Sequence, residues 1–197
     1  MNKNQRALII SAVAMVAVSP FVIRTFEKYP IGSPPSGDDG LGGENAINGL
    51  LPRDKQTRAP DFNIVDASTG KMVRLHDPNS KKPVLFSFWA TWCGPCQQEL
   101  PRVEELYKKY GNKIDFYGVN SDDDKEHIVS FAKENNLTFP MLADTSRTAQ
   151  TTYAVSSIPQ MYIVDASGKI VYVENGYDPD ALDALPSILD KVAAGTL

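Results

Sequence analysis

Cysteine and histidine are scarce in this chain of 197 residues, which contains two of each. Cys93 and Cys96 are separated by two residues, whereas His76 and His127 lie far from them in the sequence. A structural zinc site needs four ligands, and no second cysteine pair is present to help supply them. The sequence therefore argues against a zinc site, and we expect neither a metal ion nor a cofactor.

An excess of positive charge is also lacking. The chain has 20 Lys and Arg residues against 24 Asp and Glu residues, for a formal net charge of −4. Because nucleic-acid-binding domains usually carry a basic patch, we expect no nucleic-acid partner. An apolar fraction of 42% with 22% charged residues is typical of globular proteins. The length allows one domain of ordinary size with additional segments.

The surroundings of the two cysteines favour a redox-active dithiol. A strand-like apolar run at residues 83–90 precedes them, and apolar residues at helical spacing follow at Leu100 and Val103. A C-x-x-C pair at such a strand-to-helix junction is typical of redox proteins. At a helix start, the macrodipole and free N–H groups lower the pKa of the first thiol. A purely structural disulfide is the alternative, but it would close too short a loop to stabilise the fold much.

A family resemblance begins at these residues. The sequence F-W-A-T-W-C-G-P-C at residues 88–96 resembles the active-site segment of thioredoxins. Its continuation, Q-Q-E-L-P at residues 97–101, is similar to the TlpA/ResA group of membrane-anchored thiol-disulfide oxidoreductases. The resemblance implies a thioredoxin-like α/β fold over residues 59–197, with a central mixed β-sheet flanked by helices. It also implies an extra β-hairpin at the beginning of that domain.

Hydrophobic patterning predicts a compatible order of elements. The predicted domain begins with a hairpin at 62–75, a strand at 83–90 and a helix after Cys96. A strand at 114–120, a helix capped within 121–124 and a short extended segment at 139–142 follow. The last predicted elements are a brief helix up to Tyr153, a hairpin at 161–173 and a helical stretch at 178–194. We expect Pro186 to break the C-terminal stretch and to open a second helix.

The first 28 residues have the pattern of a signal-anchor. Lys3 and Arg6 precede an apolar core at residues 7–23. We expect an uncleaved anchor over residues 1–28 and a redox domain over 59–197, because Pro20 follows the small residues that would otherwise direct cleavage. A cleaved signal peptide, which would leave a soluble secreted or periplasmic protein, is the alternative.

The charge distribution predicts the topology of that anchor. Basic residues before the apolar core favour a cytoplasmic N-terminus, so a single-pass protein of the cell membrane would carry its redox domain on the periplasmic side. Gly, Pro, Ser and Asp dominate residues 29–58, which we expect to form a flexible linker. The alternative is a segment ordered against the domain, with Ile47, Leu50 and Leu51 docked locally.

The resemblance also assigns roles near the cysteines. Cys93 is the expected nucleophile and Cys96 the resolving thiol, and the two form the Cys93–Cys96 disulfide on oxidation. The dipeptide Gly94-Pro95 matches reducing thioredoxins and favours a reductase. Glu99 follows Cys96 by three residues and shares its helix face, so a buried Glu99 would accept a proton from Cys96. The alternative for Glu99 is an exposed residue favoured by the helix dipole alone.

Other positions that match the family predict which residues contact a substrate. Pro159 matches the cis-proline opposite the cysteines, and Ile158 would then offer its backbone to a partner peptide. Trp92 is expected to shield the dithiol and to contact substrate. Ser87 stands where thioredoxin has a buried aspartate; serine cannot ionise, so we expect that proton relay to be absent or displaced.

These features predict an extracytoplasmic thiol-disulfide oxidoreductase that reduces protein disulfides and receives electrons from a transmembrane donor. Members of the resembling group often reduce apocytochrome c cysteines or cysteines of copper sites. The G-V-P-E signature of the cytochrome branch is replaced here by S-I-P-Q at residues 157–160.

Two further classes of protein could use the same cysteines. A Cu(I)-binding metallochaperone would use the two thiolates as soft ligands. A peroxiredoxin needs Thr or Ser three residues before its cysteine, and Ala90 stands there. The copper chaperone therefore remains the alternative function.

Overall fold

A computed structural model describes residues 49–77 and 80–197. The predicted signal-anchor over residues 1–28 and the first part of the predicted linker lie outside this range. Within the range, no helix is both long and apolar enough to cross a membrane.

In the described part of the chain, seven strands form one mixed β-sheet, and four helices pack on it. The strands are β1 (Asn63–Asp66), β2 (Met72–Arg74), β3 (Val84–Trp89), β4 (Asp115–Asn120), β5 (Met141–Ala143), β6 (Gln160–Val164) and β7 (Ile170–Asn175). The helices are α1 (Gly94–Tyr110), α2 (Lys125–Glu134), α3 (Thr148–Thr152) and α4 (Pro179–Ala194). The order across the sheet is β2-β1-β5-β4-β3-β6-β7.

The directions of the strands determine where the redox segment lies. β3 pairs in parallel with β4, which pairs in parallel with β5, while β6 is antiparallel to β3 and β7 to β6. The carboxyl ends of β3, β4, β5 and β7 therefore share one edge of the sheet with the beginning of β6. The predicted central mixed sheet flanked by helices is confirmed, and the β1–β2 hairpin adds strands at one side.

Side chains of the fully buried β3 alternate between two apolar layers, as a strand covered on both faces requires. Leu85 and Trp89 belong to the layer that contains side chains of α1, α2 and α4. Phe86 and Phe88 point to the opposite face, where they contact the rings of Tyr153 and Tyr162. Burial on both faces holds β3, and with it the start of α1, in a rigid frame.

The C-terminal stretch is one continuous helix, so the predicted break at Pro186 is wrong. A proline inside a helix removes one backbone hydrogen bond and costs about 3 kcal/mol. Burial of apolar side chains on the same helix outweighs that cost, since each contributes roughly 1.5–3 kcal/mol. The buried face includes Leu182, Leu185, Ile188 and Leu189.

The segment before β1 lies along the outer edge of β7. The Leu51 N–H donates to the Val171 carbonyl at 2.8 Å, and the Ile170 N–H donates to the Thr57 carbonyl at 2.8 Å. These hydrogen bonds use backbone groups that an unpaired edge strand would expose. In the range predicted as linker, residues 49–51 and 57–58 are thus paired with β7 or with the residue before it, and residues 29–48 lie outside the described residues.

Candidate active site

The two cysteines lie at the start of α1, at the edge of the sheet where β3 ends. Cys93 is the N-cap residue of α1, and its Sγ accepts a hydrogen bond from the Cys96 N–H at 3.2 Å. The side chains are joined as a Cys93–Cys96 disulfide. Cys93 is 4% exposed and Cys96 is fully buried. Of the two residues, only Cys93 has any exposed surface, and its exposed fraction is small. In the reduced form, the helix start would stabilise a Cys93 thiolate.

A loop before β6 covers the disulfide. The Ile158–Pro159 peptide bond is cis, and the Ile158 carbonyl oxygen lies 3.8 Å from Cys93 Sγ. Pro159 is buried while Ile158 is partly exposed. The Gly176 N–H donates to the Pro159 carbonyl at 2.8 Å, which ties this loop to the end of β7. The Ile158 backbone therefore lies beside Cys93 Sγ.

The two tryptophans of the segment have opposite environments. Trp92, next to Cys93, is 66% exposed, and Trp89 is 1% exposed and packs against Phe131. An exposed indole beside a reactive sulfur offers a flat apolar surface to a partner. Trp92 is therefore placed for the contact that the resemblance implies.

Thr91 anchors the loop that leads into the disulfide, a feature that the sequence did not reveal. Asp123 accepts hydrogen bonds from the Thr91 N–H at 2.9 Å and from its hydroxyl at 2.8 Å. The Asn120 side chain donates to the same carboxylate at 2.7 Å, and Gln97 donates to the Thr91 carbonyl at 2.7 Å. The three aspartates at 122–124 suggested only a helix cap, a role that Asp124 fills by accepting from the His127 N–H.

We expect Asp123→Ala to destabilise the protein by about 1–3 kcal/mol, because it leaves three donors around the active-site loop without their acceptor. Chemical denaturation of the oxidised protein would measure this change. Burial raises the pKa of Asp123, but hydrogen bonds from Thr91 and Asn120 outweigh burial and lower the pKa overall. The loss should therefore be largest above the ordinary carboxyl pKa and should shrink as the pH falls below it.

Glu126→Ala is the matched control, because Glu126 is an exposed residue in the neighbouring first turn of α2. An equal loss of stability in both variants would contradict the role assigned to Asp123.

Glu99 follows Cys96 by three residues on α1 and is 1% exposed. Its Oε1 accepts a hydrogen bond from the Ser87 hydroxyl at 2.5 Å. Burial raises the pKa of Glu99 to about 7; the Ser87 hydrogen bond opposes this rise, and the charge of Glu174 adds to it. Because Cys96 belongs to the same turn of α1, a carboxyl group that titrates near neutral pH lies next to the buried thiol.

Ser87 has a place in this site that its residue type did not indicate. The sequence predicts that the proton relay of thioredoxin is absent or displaced here, because serine does not ionise. Ser87 is 1% exposed on β3, and its hydroxyl serves as the donor to the Glu99 carboxyl group. The buried ionisable group here is thus Glu99, on the helix that follows β3, and Ser87 donates a hydrogen bond to it.

Comparisons with known proteins agree with this geometry. The Redoxin family model matches residues 54–191. The chain is 39% identical over 122 residues to the thioredoxin-like protein YneN of Bacillus subtilis (strain 168), covering 60% of this chain and 70% of that protein. It is 35% identical over 114 residues to a thiol-disulfide oxidoreductase ResA of Bacillus cereus. That match covers 57% of this chain and 65% of ResA, slightly less than two thirds of its length.

A solved structure shows the same architecture. The exposed lipoprotein thioredoxin Etrx1 of Streptococcus pneumoniae strain TIGR4 superposes with a TM-score of 0.57 at 28% identity, covering 67% of this chain and 99% of Etrx1. The predicted thioredoxin-like fold and the resemblance to ResA-type proteins are thereby confirmed. The chain belongs to the Redoxin family, and it is an oxidoreductase of the thiol-disulfide type with a thioredoxin-like fold.

Proposed function

We propose that this protein reduces disulfides of other proteins outside the cytoplasm through Cys93 and Cys96. One observation carries the proposal: Cys93 Sγ lies at the start of α1 and 3.8 Å from the Ile158 carbonyl, while Cys96 is buried behind it. This arrangement makes Cys93 the less buried of the two residues, available to a partner, and reserves Cys96 for the second step.

The proposed reaction has two exchange steps. The Cys93 thiolate attacks one sulfur of a substrate disulfide, so that a mixed disulfide forms and the other substrate sulfur leaves as a thiolate. Cys96 then loses its proton and attacks Cys93 Sγ, which forms the Cys93–Cys96 disulfide and releases the second substrate thiolate. Two electrons pass from the dithiol to the substrate.

Glu99 is the proposed acceptor of the Cys96 proton. A buried thiol ionises poorly because an apolar environment disfavours the thiolate. Glu99 is itself buried, shares one helix turn with Cys96 and has a pKa of about 7, so near neutral pH it can both take up and release a proton. Ser87 keeps the carboxyl group oriented through its hydroxyl.

Substrate contact is proposed for Trp92, Ile158 and Pro159. The exposed Trp92 ring and the cis Ile158–Pro159 bond flank Cys93. An extended substrate segment would pair with the Ile158 backbone in the manner of an added strand. Gly94 and Pro95 form the first turn of α1 and support the reducing direction by their match to reducing thioredoxins.

The location outside the cytoplasm is supported by the apolar run at residues 7–23 and by the similarity to the exposed lipoprotein Etrx1. Thiols in such compartments tend toward disulfides, so a reductase there needs an electron donor that spans the membrane. Apocytochrome c cysteines and copper-site cysteines are the substrate classes proposed for testing.

Insulin reduction, measured together with Cu(I) titration, tests the proposed function. The dithiol form should reduce insulin, and the measured reduction potential should be low enough to favour electron flow to protein disulfides. Tight Cu(I) binding by a protein that does not turn over disulfides would contradict the proposal and favour the copper chaperone.

A further inference from the structure

A second carboxyl group, that of Glu174, faces the same layer of the protein as Glu99. The sheet register aligns Ser87 with Met161, and Met161 with Glu174, across β3, β6 and β7. Paired residues on adjacent strands point to the same face, so all three side chains point toward α1. Adjacent strands are about 4.8 Å apart, which puts the Ser87 and Glu174 backbones roughly 10 Å from each other. Glu99 reaches down from α1 to Ser87 at one end of this row.

Glu174 lies at the boundary between this buried layer and solvent. It is partly exposed near the end of the outer strand β7. The Tyr172 hydroxyl donates a hydrogen bond to its Oε2 at 2.9 Å, and Tyr172 is only 1% exposed. Burial and the charge of Asp178 raise the pKa of Glu174, whereas the Tyr172 hydrogen bond lowers it. The polar groups that face the row are thus Cys96 and Glu99 from α1, Ser87 from β3, Tyr172 from β7, and Asp178 at the start of α4.

Glu99 and Glu174 have no ion-pair partner across residues 49–77 and 80–197. Two carboxylates that share a poorly hydrated layer without a cation oppose each other's ionisation. The charge on the partly exposed member therefore favours the protonated form of the buried member.

We propose that Glu174 is a positioning residue that acts through Glu99: its negative charge increases the proton affinity of the Glu99 carboxylate and so favours proton transfer from Cys96. The inference rests on the proposed reductase function for its consequence in turnover. In the resolving step, the proton leaves Cys96 Sγ and joins a Glu99 carboxylate oxygen, and the Cys96 thiolate then attacks Cys93 Sγ. The negative charge of Glu174 favours the neutral Glu99 that this step produces.

The direct test follows the Glu99 carboxyl carbon by NMR during a pH titration of the oxidised protein. Glu174→Gln removes the charge and preserves the shape, so the Glu99 midpoint should fall by roughly 0.5–1 pH unit. Glu174→Asp preserves the charge and should stay close to the wild-type midpoint. Glu105→Gln is the matched control: Glu105 lies on α1 but its side chain is 72% exposed, so the midpoint should stay within about 0.2 unit.

A second variant tests the order of ionisation independently of how well Glu174→Gln folds. In Glu99→Gln, the midpoint of Glu174 should change little, because Glu99 is still protonated over the pH range in which Glu174 ionises. A Glu99 midpoint that Glu174→Gln moves no further than Glu105→Gln does would overturn the inference. A Glu174 midpoint that falls clearly in Glu99→Gln would show that Glu99 ionises first, and would also overturn it.

Turnover gives the second readout. The rate at which Cys96 resolves the mixed disulfide depends on pH, and the midpoint of that dependence should fall in Glu174→Gln by the same amount as the Glu99 midpoint. In a protein that already carries Glu99→Gln, Glu174→Gln should have no further effect. If Glu174→Gln lowers the Glu99 midpoint as expected but the wild-type protein reduces no disulfide, the proposed function is contradicted. The electrostatic interaction between Glu174 and Glu99 then still holds. Normal reduction without coupling would contradict only the role of Glu174.

Discussion

Replacing Cys93 by alanine is expected to lower disulfide reduction by at least about 1000-fold, and replacing Cys96 by alanine is expected to trap the substrate. Removal of a catalytic nucleophile typically costs several orders of magnitude in rate. Cys93 holds the sulfur that faces the Ile158 carbonyl, and Cys96 is fully buried, so Cys96 cannot replace it in the attack on a partner.

The Cys96→Ala variant should carry out the first step and stop. Its Cys93 sulfur can still form a mixed disulfide, but the thiol that would resolve this bond is absent. Non-reducing gels and mass spectrometry of purified complexes would identify the protein attached to Cys93. This measurement would name the substrate and would distinguish apocytochrome c from a copper-site protein.

The double variant Cys93→Ala/Cys96→Ala is the control for capture that does not involve the dithiol. Reductase activity that persists in Cys93→Ala would disprove the assigned order of attack. A Cys96→Ala variant that captures no more protein than the double variant would disprove it as well.

Glu99→Gln is expected to make the protein more stable than wild type at pH 8, with little of the difference present at pH 4. The pKa of Glu99 is raised by burial from 4.5 to about 7. Between these values the folded protein keeps a proton that the unfolded chain releases, so rising pH favours unfolding. The stability contributed by the neutral carboxyl group is thus fully present below pH 4.5 and is lost by about pH 7, and the loss amounts to about 3 kcal/mol.

Glutamine is neutral at every pH and retains an oxygen that can accept from the Ser87 hydroxyl. The difference in unfolding free energy between Glu99→Gln and wild type should therefore grow from pH 4 to pH 7 and then stay constant. Denaturant unfolding of the oxidised proteins at several pH values measures it, and the disulfide prevents the cysteines from titrating. The same variant should slow the resolving step, since glutamine cannot accept the Cys96 proton.

Glu105→Gln is again the control, because it removes one carboxylate from an exposed position of the same helix. If the stability of Glu99→Gln depends on pH in the same way as that of the wild type, Glu99 is hydrated in the folded protein and its pKa is not raised by burial. An effect of the same size in Glu105→Gln would assign the change to net charge.

Several elements were predictable because their cause is local. The cysteine spacing and the apolar run before it indicated a dithiol at a strand-to-helix junction, and β3 and α1 have that arrangement. Hydrophobic periodicity likewise indicated the order of the remaining strands and helices. The prediction at Pro186 failed because a local rule for helix breaking was applied where buried leucines of α4 outweigh it.

The partners of the site residues were not predictable because they come from distant elements. Ser87 and Glu99 are 12 residues apart, on a strand and a helix, and Thr91 and Asp123 are 32 residues apart. No periodicity connects such positions, and only the packing of β3, β4 and α1 brings their polar groups within hydrogen-bonding distance. The pairing of residues 49–51 and 57–58 with β7 or with the residue before it has the same origin, since a composition typical of linkers does not reveal a nearby sheet edge.

A dithiol at a strand-to-helix junction follows from neighbours along the chain: two cysteines separated by two residues, a strand before them and a helix after them. Local geometry is enough to place a thiol at a helix start. Tertiary packing brings together the buried polar groups beside that junction. The burial of Glu99 and its hydrogen bond with Ser87 arise only when β3 and α1 pack together, because exclusion of water from that layer is what raises the pKa of Glu99.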